Sequence, residues 1–192
     1  MRKALNTLIK QVDYEVEMIR NLITGQALYD SNLFDLVGSF PVNSTENQMK
    51  TDTNCLKGRK GVYLFVANRS FDVSREQILS WNTEAYAPLN SFDIHGNVIS
   101  ATVNNGDVFY LGSCYSKSGS LLSRLRDHCN YASDKSSLKL ENAKRQWVKQ
   151  YLVAYYFAID KIYTDEEKRI ILPAIERQLH ISFQHIAGGK RT

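Results

Sequence analysis

Two apolar runs, each with a tyrosine close to a glycine, are the feature that most limits how this chain can fold. They are "GVYLFVA" at residues 61–67 and "VFYLGS" at residues 108–113. Both have the length of a strand and are rich in the β-branched and aromatic residues that favour strands. They raise the question of whether Tyr63 and Tyr110 are ordinary strand residues or two parts of one active site.

The composition is that of an ordinary folded domain. The chain has 192 residues, of which 43% are hydrophobic, so one domain with an appendage can bury a sizeable core. No apolar run reaches the length of a membrane span, and the charged first segment does not resemble a signal peptide. We therefore expect a soluble, cytoplasmic protein with no membrane partner.

The cysteines and the charge narrow the function only slightly. Cys55, Cys114 and Cys129 lack the spacing of metal ligands or of a disulfide framework, so we expect reduced thiols. The net charge of +4 permits nucleic-acid binding without requiring it. Basic clusters such as "KGRK" at residues 57–60 fit scattered solvated charge equally well.

The N-terminal segment is expected to be an appendage. Residues 2–25 predict one helix, because apolar residues recur at alternating spacings of four and three. This helix either packs on the core or forms a homodimer. Residues 26–56 are polar and rich in turn formers, which predicts a connector with little regular structure. The expected division is an appendage at 1–57 and a domain at 58–192, with a β-rich insertion at about 68–107.

The remaining pattern predicts an α+β domain, a small antiparallel sheet flanked by helices. Thr164 and Glu167 form a capping box that opens the last helix, in which Pro173 is expected to cause a kink or a restart and which runs to about residue 183. The expected strands are 60–67, 91–94, 97–103, 107–112 and 151–159, and the other expected helices are 72–81, 119–131 and 138–149.

Three polar residues lie where a core margin is expected. Arg124 and His128 are spaced i, i+4 and border a leucine stripe on one helix. Glu176 lies between apolar neighbours on the last helix, where a carboxylate is unfavourable unless it is paired or binds a cation. Taken singly, each residue also fits an ordinary surface or half-buried position.

Taken together, these residues resemble the GIY-YIG nuclease superfamily. The resemblance runs through "GVY", "YLG", the helix "RLRDH" at residues 124–128 and the last helix, "AIERQLHISFQHIAG", and it covers roughly residues 58–188. It implies an endonuclease that hydrolyses DNA phosphodiester bonds with Mg²⁺ or Mn²⁺.

The resemblance also implies a role for each candidate residue. Glu176 would hold the metal ion, Arg124 would bind the non-bridging phosphate oxygens, and Tyr63 would take the proton of the attacking water. Tyr110 and His128 would orient the water or share its proton. The residues expected to contact nucleic acid are Lys60, Lys117 and Arg126.

The chain departs from the family pattern in three places, one of which is a longer loop between Tyr110 and Arg124. The two tyrosine strands usually form a simple hairpin, whereas here positions 64–109 separate them. Gly188 falls where the family has a closing asparagine, and His185 falls where a proline is common. Glu167 is therefore an alternative to Glu176 as the metal ligand.

The additions to the domain resemble those of the restriction-endonuclease branch, in which they dimerise the protein or read bases. This predicts a sequence-specific enzyme acting on double-stranded DNA, with a possible homodimer through the N-terminal helix. Three alternatives stay open: a non-catalytic nucleic-acid-binding relative, a nonspecific, phage or mobile-element nuclease of the same type, and a structural domain if the two tyrosines lie far apart.

Overall fold

A four-stranded antiparallel sheet forms the centre of the fold. The computed structural model describes residues 2–26, 31, 33–83, 89, 100–130, 137–159, 161–183 and 186–187. The strands are β1 (Phe34–Pro41), β2 (Gly61–Ala67), β3 (Phe71–Ser74), β4 (Ser100–Val103), β5 (Val108–Cys114) and β6 (Leu152–Ile159). The main sheet has the order β1-β6-β2-β5, and β3 pairs with β4 in a separate two-stranded sheet.

Helices cover both faces of the main sheet, so the α+β prediction is confirmed. The helices are α1 (Arg2–Ile23), α2 (Glu46–Thr53), α3 (Arg75–Asn82), α4 (Leu121–Cys129) and α5 (Asp165–Ser182). One apolar cluster joins α1 and α5 to one face of the sheet, and a second joins α3 and α4 to the other. Strand β2 is buried along its whole length because it contributes side chains to both clusters.

The predicted N-terminal helix is confirmed, and its apolar seam is used within the chain. Val12, Val16, Ile19 and Ile23 are buried against the sheet and α5. Two apolar side chains of this helix, Ile9 and Tyr14, are exposed. No helix in the described part of the chain is long and apolar enough to cross a membrane.

Two predictions about the rest of the chain were wrong, and a third was wrong in its first residues. Residues 26–56 contain β1, an edge strand paired with β6, and α2. Residues 138–149 form turns and lead into a 3₁₀ helix at Gln146–Tyr151 instead of an α-helix. The predicted helix at 72–81 is present as α3, but it begins only at Arg75, after the short strand β3 and a capping box formed by Ser74 and Gln77. The predicted strand at 91–94 lies outside the described residues.

The last helix begins as predicted. The Thr164 hydroxyl accepts a hydrogen bond from the Glu167 N–H, and the Glu167 carboxylate accepts one from the Thr164 N–H. These bonds to Thr164 lower the pKa of Glu167, whose side chain is fully exposed. The helix continues through Pro173 to Ser182. Glu167 therefore serves the helix N-terminus, which leaves Glu176 as the stronger candidate for a metal ligand.

Candidate active site

Tyr63 and Tyr110 lie on neighbouring antiparallel strands and face the same side of the sheet. In the register of β2 and β5, Tyr63 pairs with Gly112 and Phe65 pairs with Tyr110. The two tyrosine rings stack with centroids 6.4 Å apart and an angle of 28° between their planes. The insertion between the strands, which contains β3, α3 and β4, does not prevent them from pairing. The two tyrosine side chains therefore lie side by side on one face of the sheet.

The glycines of the two runs allow close approach. A β-carbon at Gly112 would lie 2.6 Å from the Tyr63 hydroxyl oxygen, closer than non-bonded atoms tolerate. A β-carbon at Gly61 would collide with the carbonyl oxygen of Phe157 on β6. Gly61 therefore lets β2 pair closely with β6, and Gly112 makes room for the Tyr63 hydroxyl over the outer strand.

His128 bonds to the Tyr63 hydroxyl with a defined ring tautomer. Its Nε2 atom lies 2.9 Å from the hydroxyl oxygen, and its Nδ1 atom accepts the Leu138 N–H over 2.9 Å. A neutral imidazole that accepts at Nδ1 carries its proton on Nε2. His128, which is fully buried, therefore donates to Tyr63.

Arg124 provides a second donor to the same hydroxyl. It lies one turn before His128 on α4, which begins after a capping box formed by Ser120 and Ser123. The Arg124 side chain hydrogen bonds to Tyr63 and lies 3.8 Å from a carboxylate oxygen of Asp127. The predicted i, i+4 pair on this helix therefore meets at one tyrosine oxygen.

Burial dominates the acid–base behaviour of Tyr63. Burial, the largest effect, raises its pKa well above the usual value because an ionised phenolate loses its hydration. Tyr110 and Glu176 also raise this pKa, whereas the charge and hydrogen bond of Arg124 lower it. Tyr63 therefore carries its proton at neutral pH, next to donors that would stabilise its ionised form.

Glu176 approaches the same point of the sheet from the other face. It lies on α5, is 4% exposed, and accepts a hydrogen bond of 2.5 Å from the Ser113 hydroxyl. Ser113 follows Gly112 on β5, so its side chain points to the opposite face of this outer strand. The Tyr63 hydroxyl and the Glu176 carboxylate thus flank adjacent residues of one edge strand.

A second polar group lies beside the carboxylate. His180 is one turn further along α5, and its Nε2 atom is 3.7 Å from a Glu176 oxygen. In the described part of the chain, no group of three or more histidines, cysteines or acidic residues could hold a metal ion. A single buried carboxylate fits Mg²⁺, which commonly keeps several waters and takes its other ligands from substrate phosphate.

The three basic residues predicted to contact nucleic acid have different surroundings. The Lys60 ammonium donates to the backbone carbonyls of Ser116, Lys117 and Gly119, and so closes the loop between β5 and α4. Lys117 is exposed on that loop. Arg126 is half-buried, and its Nε atom has no hydrogen-bond partner among the described residues. Lys60 therefore shapes the loop, whereas Lys117 is open to solvent.

Residues that the sequence did not single out also build the site. Ser113 orients the Glu176 carboxylate, and the Leu138 N–H sets the tautomer of His128. The only sequence signal for Ser113 was its place next to the Tyr-Leu-Gly run, and a backbone donor such as Leu138 has none. The positions of His185 and Gly188 lie outside the described residues. No protein-family model, curated protein or solved structure matches this chain.

Proposed function

We propose that the protein is a metal-dependent endonuclease of the GIY-YIG type that hydrolyses DNA phosphodiester bonds. The observation that carries the proposal is the position of the Tyr63 hydroxyl. It bonds to His128 and Arg124 on one face of β5, while the Glu176 carboxylate lies across the same strand. A structural tyrosine in a core needs one hydrogen-bond partner, whereas this one has two donors and a carboxylate nearby.

Tyr63 is the residue that we assign to the attacking water. Hydrolysis places the water oxygen on phosphorus and breaks the bond to the 3′ oxygen, so a group must accept the water's proton. The Tyr63 oxygen can accept that proton in its ionised form, which the two donors stabilise. The ring of Tyr110, stacked beside it, limits where the water can lie.

Arg124 is the residue that we assign to the phosphate. Its planar guanidinium offers several donors in a fixed arrangement that suits the non-bridging oxygens of a phosphodiester. Negative charge on these oxygens grows as the water attacks, so a fixed cation next to Tyr63 stabilises the transition state more than the ground state.

Glu176 is the residue that would hold a divalent cation, with Mg²⁺ or Mn²⁺ as the candidate ions. The bound ion would polarise the phosphate and stabilise the leaving 3′ oxygen. Ser113 holds one carboxylate oxygen in place before any ion binds. The negative charge of Glu176 also raises the pKa of Tyr63, so neutralising that carboxylate favours ionisation of the tyrosine.

The type of substrate is proposed from the surroundings of the site. Lys117 on the exposed loop and Arg126 on α4 would contact the DNA backbone. We propose that the substrate is double-stranded DNA, cut at specific sequences as by restriction endonucleases.

A homodimer would use Ile9 and Tyr14 of α1, each 48% exposed. Sedimentation of the wild type and of an Ile9→Ser, Tyr14→Ser double variant tests this dimer.

The proposed activity is tested by incubating supercoiled plasmid and long natural DNA with the protein and Mg²⁺. The wild type is expected to give discrete fragments that disappear on chelation. Glu176→Ala and Arg124→Ala are expected to lower cleavage by about 100-fold or more, since each removes charge stabilisation of the transition state. Matched controls are Glu166→Ala and Arg169→Ala, which remove exposed charges of the same type from α5.

Each alternative has its own outcome in this assay. A smear of products would identify a nonspecific nuclease. Binding of DNA without cleavage, unchanged in Glu176→Ala, would contradict the enzyme and identify a nucleic-acid-binding protein. Equal cleavage by wild type and both site variants would show that the activity arises elsewhere.

A further inference from the structure

The turn before the 3₁₀ helix holds His128 through two backbone N–H groups. Leu138 donates to the His128 Nδ1 atom and Leu140 donates to the His128 carbonyl, each over 2.9 Å. Between them, Lys139 has a φ of 50°, in the left-handed region that a non-glycine residue rarely adopts. Because this conformation is unfavourable by itself, surrounding contacts must keep the turn in place.

Arg145 supplies such a contact from the core. It is 1% exposed, and its Nη1 atom donates to the Leu138 carbonyl over 2.9 Å. Its Nη2 atom donates to the Trp81 carbonyl over 3.1 Å, and the guanidinium lies 4.8 Å from the centre of the Trp81 ring. Burial of a guanidinium is unfavourable unless donors are satisfied, and here its contacts fix Leu138.

These contacts form one chain of hydrogen bonds from α3 to the candidate active site. Arg145 donates to the carbonyl of Leu138, the N–H of Leu138 donates to His128, and His128 donates to Tyr63. The start of the chain, Trp81, is fully buried and belongs to the segment inserted between the two tyrosine strands. The insertion is therefore connected to the hydroxyl that we assign to catalysis.

We propose that Arg145 is a positioning residue that sets the tautomer of His128, and through it the direction of the hydrogen bond to Tyr63. With Leu138 held, Nδ1 is occupied as an acceptor and Nε2 must donate to the tyrosine oxygen. When Arg145 no longer holds Leu138, the His128 ring is free to carry its proton on Nδ1. Its Nε2 atom then accepts a hydrogen bond from the Tyr63 hydroxyl. The proposal rests on the proposed nuclease function only for its effect on catalysis.

The tautomer is measured directly on the full-length protein labelled with ¹⁵N-histidine. Long-range ¹H–¹⁵N spectra distinguish protonated from unprotonated ring nitrogens, and His128→Gln identifies the signals of His128 among the four histidines. The wild type is expected to show a protonated Nε2 and an unprotonated Nδ1. Arg145→Met is expected to show a protonated Nδ1, and Arg145→Lys, which keeps one donor for Leu138, is expected to restore the wild-type pattern.

The matched control is Arg69→Met. Arg69 also stacks on an aromatic ring, 4.7 Å from the centre of Tyr151, but it is exposed and has no contact with His128 in the described structure. It is expected to leave the spectrum unchanged. If Arg145→Met does not fold, Arg145→Leu, which also lacks a donor for Leu138, replaces it. A folded Arg145→Met or Arg145→Leu with the wild-type tautomer, or a wild type with a protonated Nδ1, overturns the proposal.

Cleavage kinetics form a second, separate readout. Arg145→Met is expected to lower kcat roughly tenfold and to leave KM within about twofold, since the hydrogen bond to Tyr63 acts on the chemical step. A tautomer change in a protein that cuts no DNA would support the positioning role and contradict the proposed function. An equal loss of kcat in Arg69→Met, with no tautomer change in Arg145→Met, would reduce Arg145 to a packing role.

Discussion

The Tyr63 hydroxyl lies over Gly112, where a β-carbon would come within 2.6 Å of its oxygen. The tyrosine of the first run therefore needs the glycine of the second, although they are far apart in sequence. This contact explains in physical terms why the two runs belong together: one supplies the hydroxyl and the other leaves the space for it.

Gly112→Ala is expected to lower the cleavage rate roughly 100-fold without unfolding the protein. The added methyl group must push the Tyr63 hydroxyl away from His128 and Arg124, and misplacement of a reacting group by about 1 Å costs roughly 100-fold in rate. The control is Gly38→Ala on β1, because a β-carbon there would collide with the Tyr156 hydroxyl at the opposite edge of the sheet. Plasmid cleavage and thermal melting are measured for Gly112→Ala and Gly38→Ala. A similar loss of activity in the two variants would contradict the account.

Ser113→Ala is expected to weaken metal binding more than folding. The Ser113 hydroxyl donates to the Glu176 carboxylate, and loss of such an orienting bond typically costs about 10- to 100-fold in metal affinity. The concentration of Mg²⁺ that gives half-maximal cleavage measures the effect. Ser39→Ala, an exposed serine on β1, is the control. An unchanged Mg²⁺ requirement in Ser113→Ala would show that Glu176 is not the metal ligand.

Cleavage is expected to become faster with rising pH. Burial raises the pKa of Tyr63, so only a small fraction of Tyr63 is ionised at neutral pH, and that fraction grows about tenfold per pH unit below the pKa. If ionised Tyr63 takes the water's proton, kcat between about pH 7 and pH 9 follows the same slope. If kcat does not change with pH while DNA binding is complete, or if kcat still rises with pH in Tyr63→Phe, another group takes the proton of the attacking water.

One of the three thiols is expected to react rapidly in the native protein. Cys55 is exposed, whereas Cys114 and Cys129 are buried. Burial raises the pKa of Cys129 to about 12 and also raises that of Cys114, so both contain little of the reactive thiolate at about pH 8. Titration with a chromogenic disulfide reagent is expected to show one fast thiol, absent in Cys55→Ser. Fast reaction of a second thiol would contradict the burial of the other two.

The main elements that carry the site follow directly from sequence pattern. Strands β2, β5 and β6 are apolar runs of strand length, and α4 and α5 have both a periodic apolar face and a capping residue. Arg124, His128 and Glu176 were each ambiguous as polar residues at a core margin, and it was their order along the chain, with the two tyrosine runs, that resembled the GIY-YIG pattern. Three-dimensional pairing then brings together tyrosines that the sequence separates widely.

Strand β1 was missed because its residues look like a turn. "FDLVGSFP" contains Gly38 and ends in Pro41, both unfavourable in a central strand but tolerated at an edge. Gly38 also makes room for the Tyr156 hydroxyl, a requirement that depends on a partner distant in sequence. The glycine and the proline of this run therefore reflected its edge position.

The prediction of a helix at 138–149 was wrong for a different reason. The apolar spacing of this segment fits a helix, but Lys139 adopts a left-handed conformation and Arg145 is buried among backbone carbonyls. A buried arginine is indistinguishable from a surface arginine in a single sequence, because arginine is usually exposed. Lys60 is a similar case, since its carbonyl partners belong to a loop more than fifty positions away.

The most direct test of the central claim compares Tyr63→Phe with the wild type in DNA binding and in cleavage with Mg²⁺. The variant keeps the buried ring and loses only the hydroxyl that His128 and Arg124 contact. The account predicts that both proteins fold and bind DNA with similar affinity, that the wild type cuts, and that Tyr63→Phe does not. Cleavage by Tyr63→Phe at the wild-type rate, or no cleavage by the wild type with either Mg²⁺ or Mn²⁺, would contradict it.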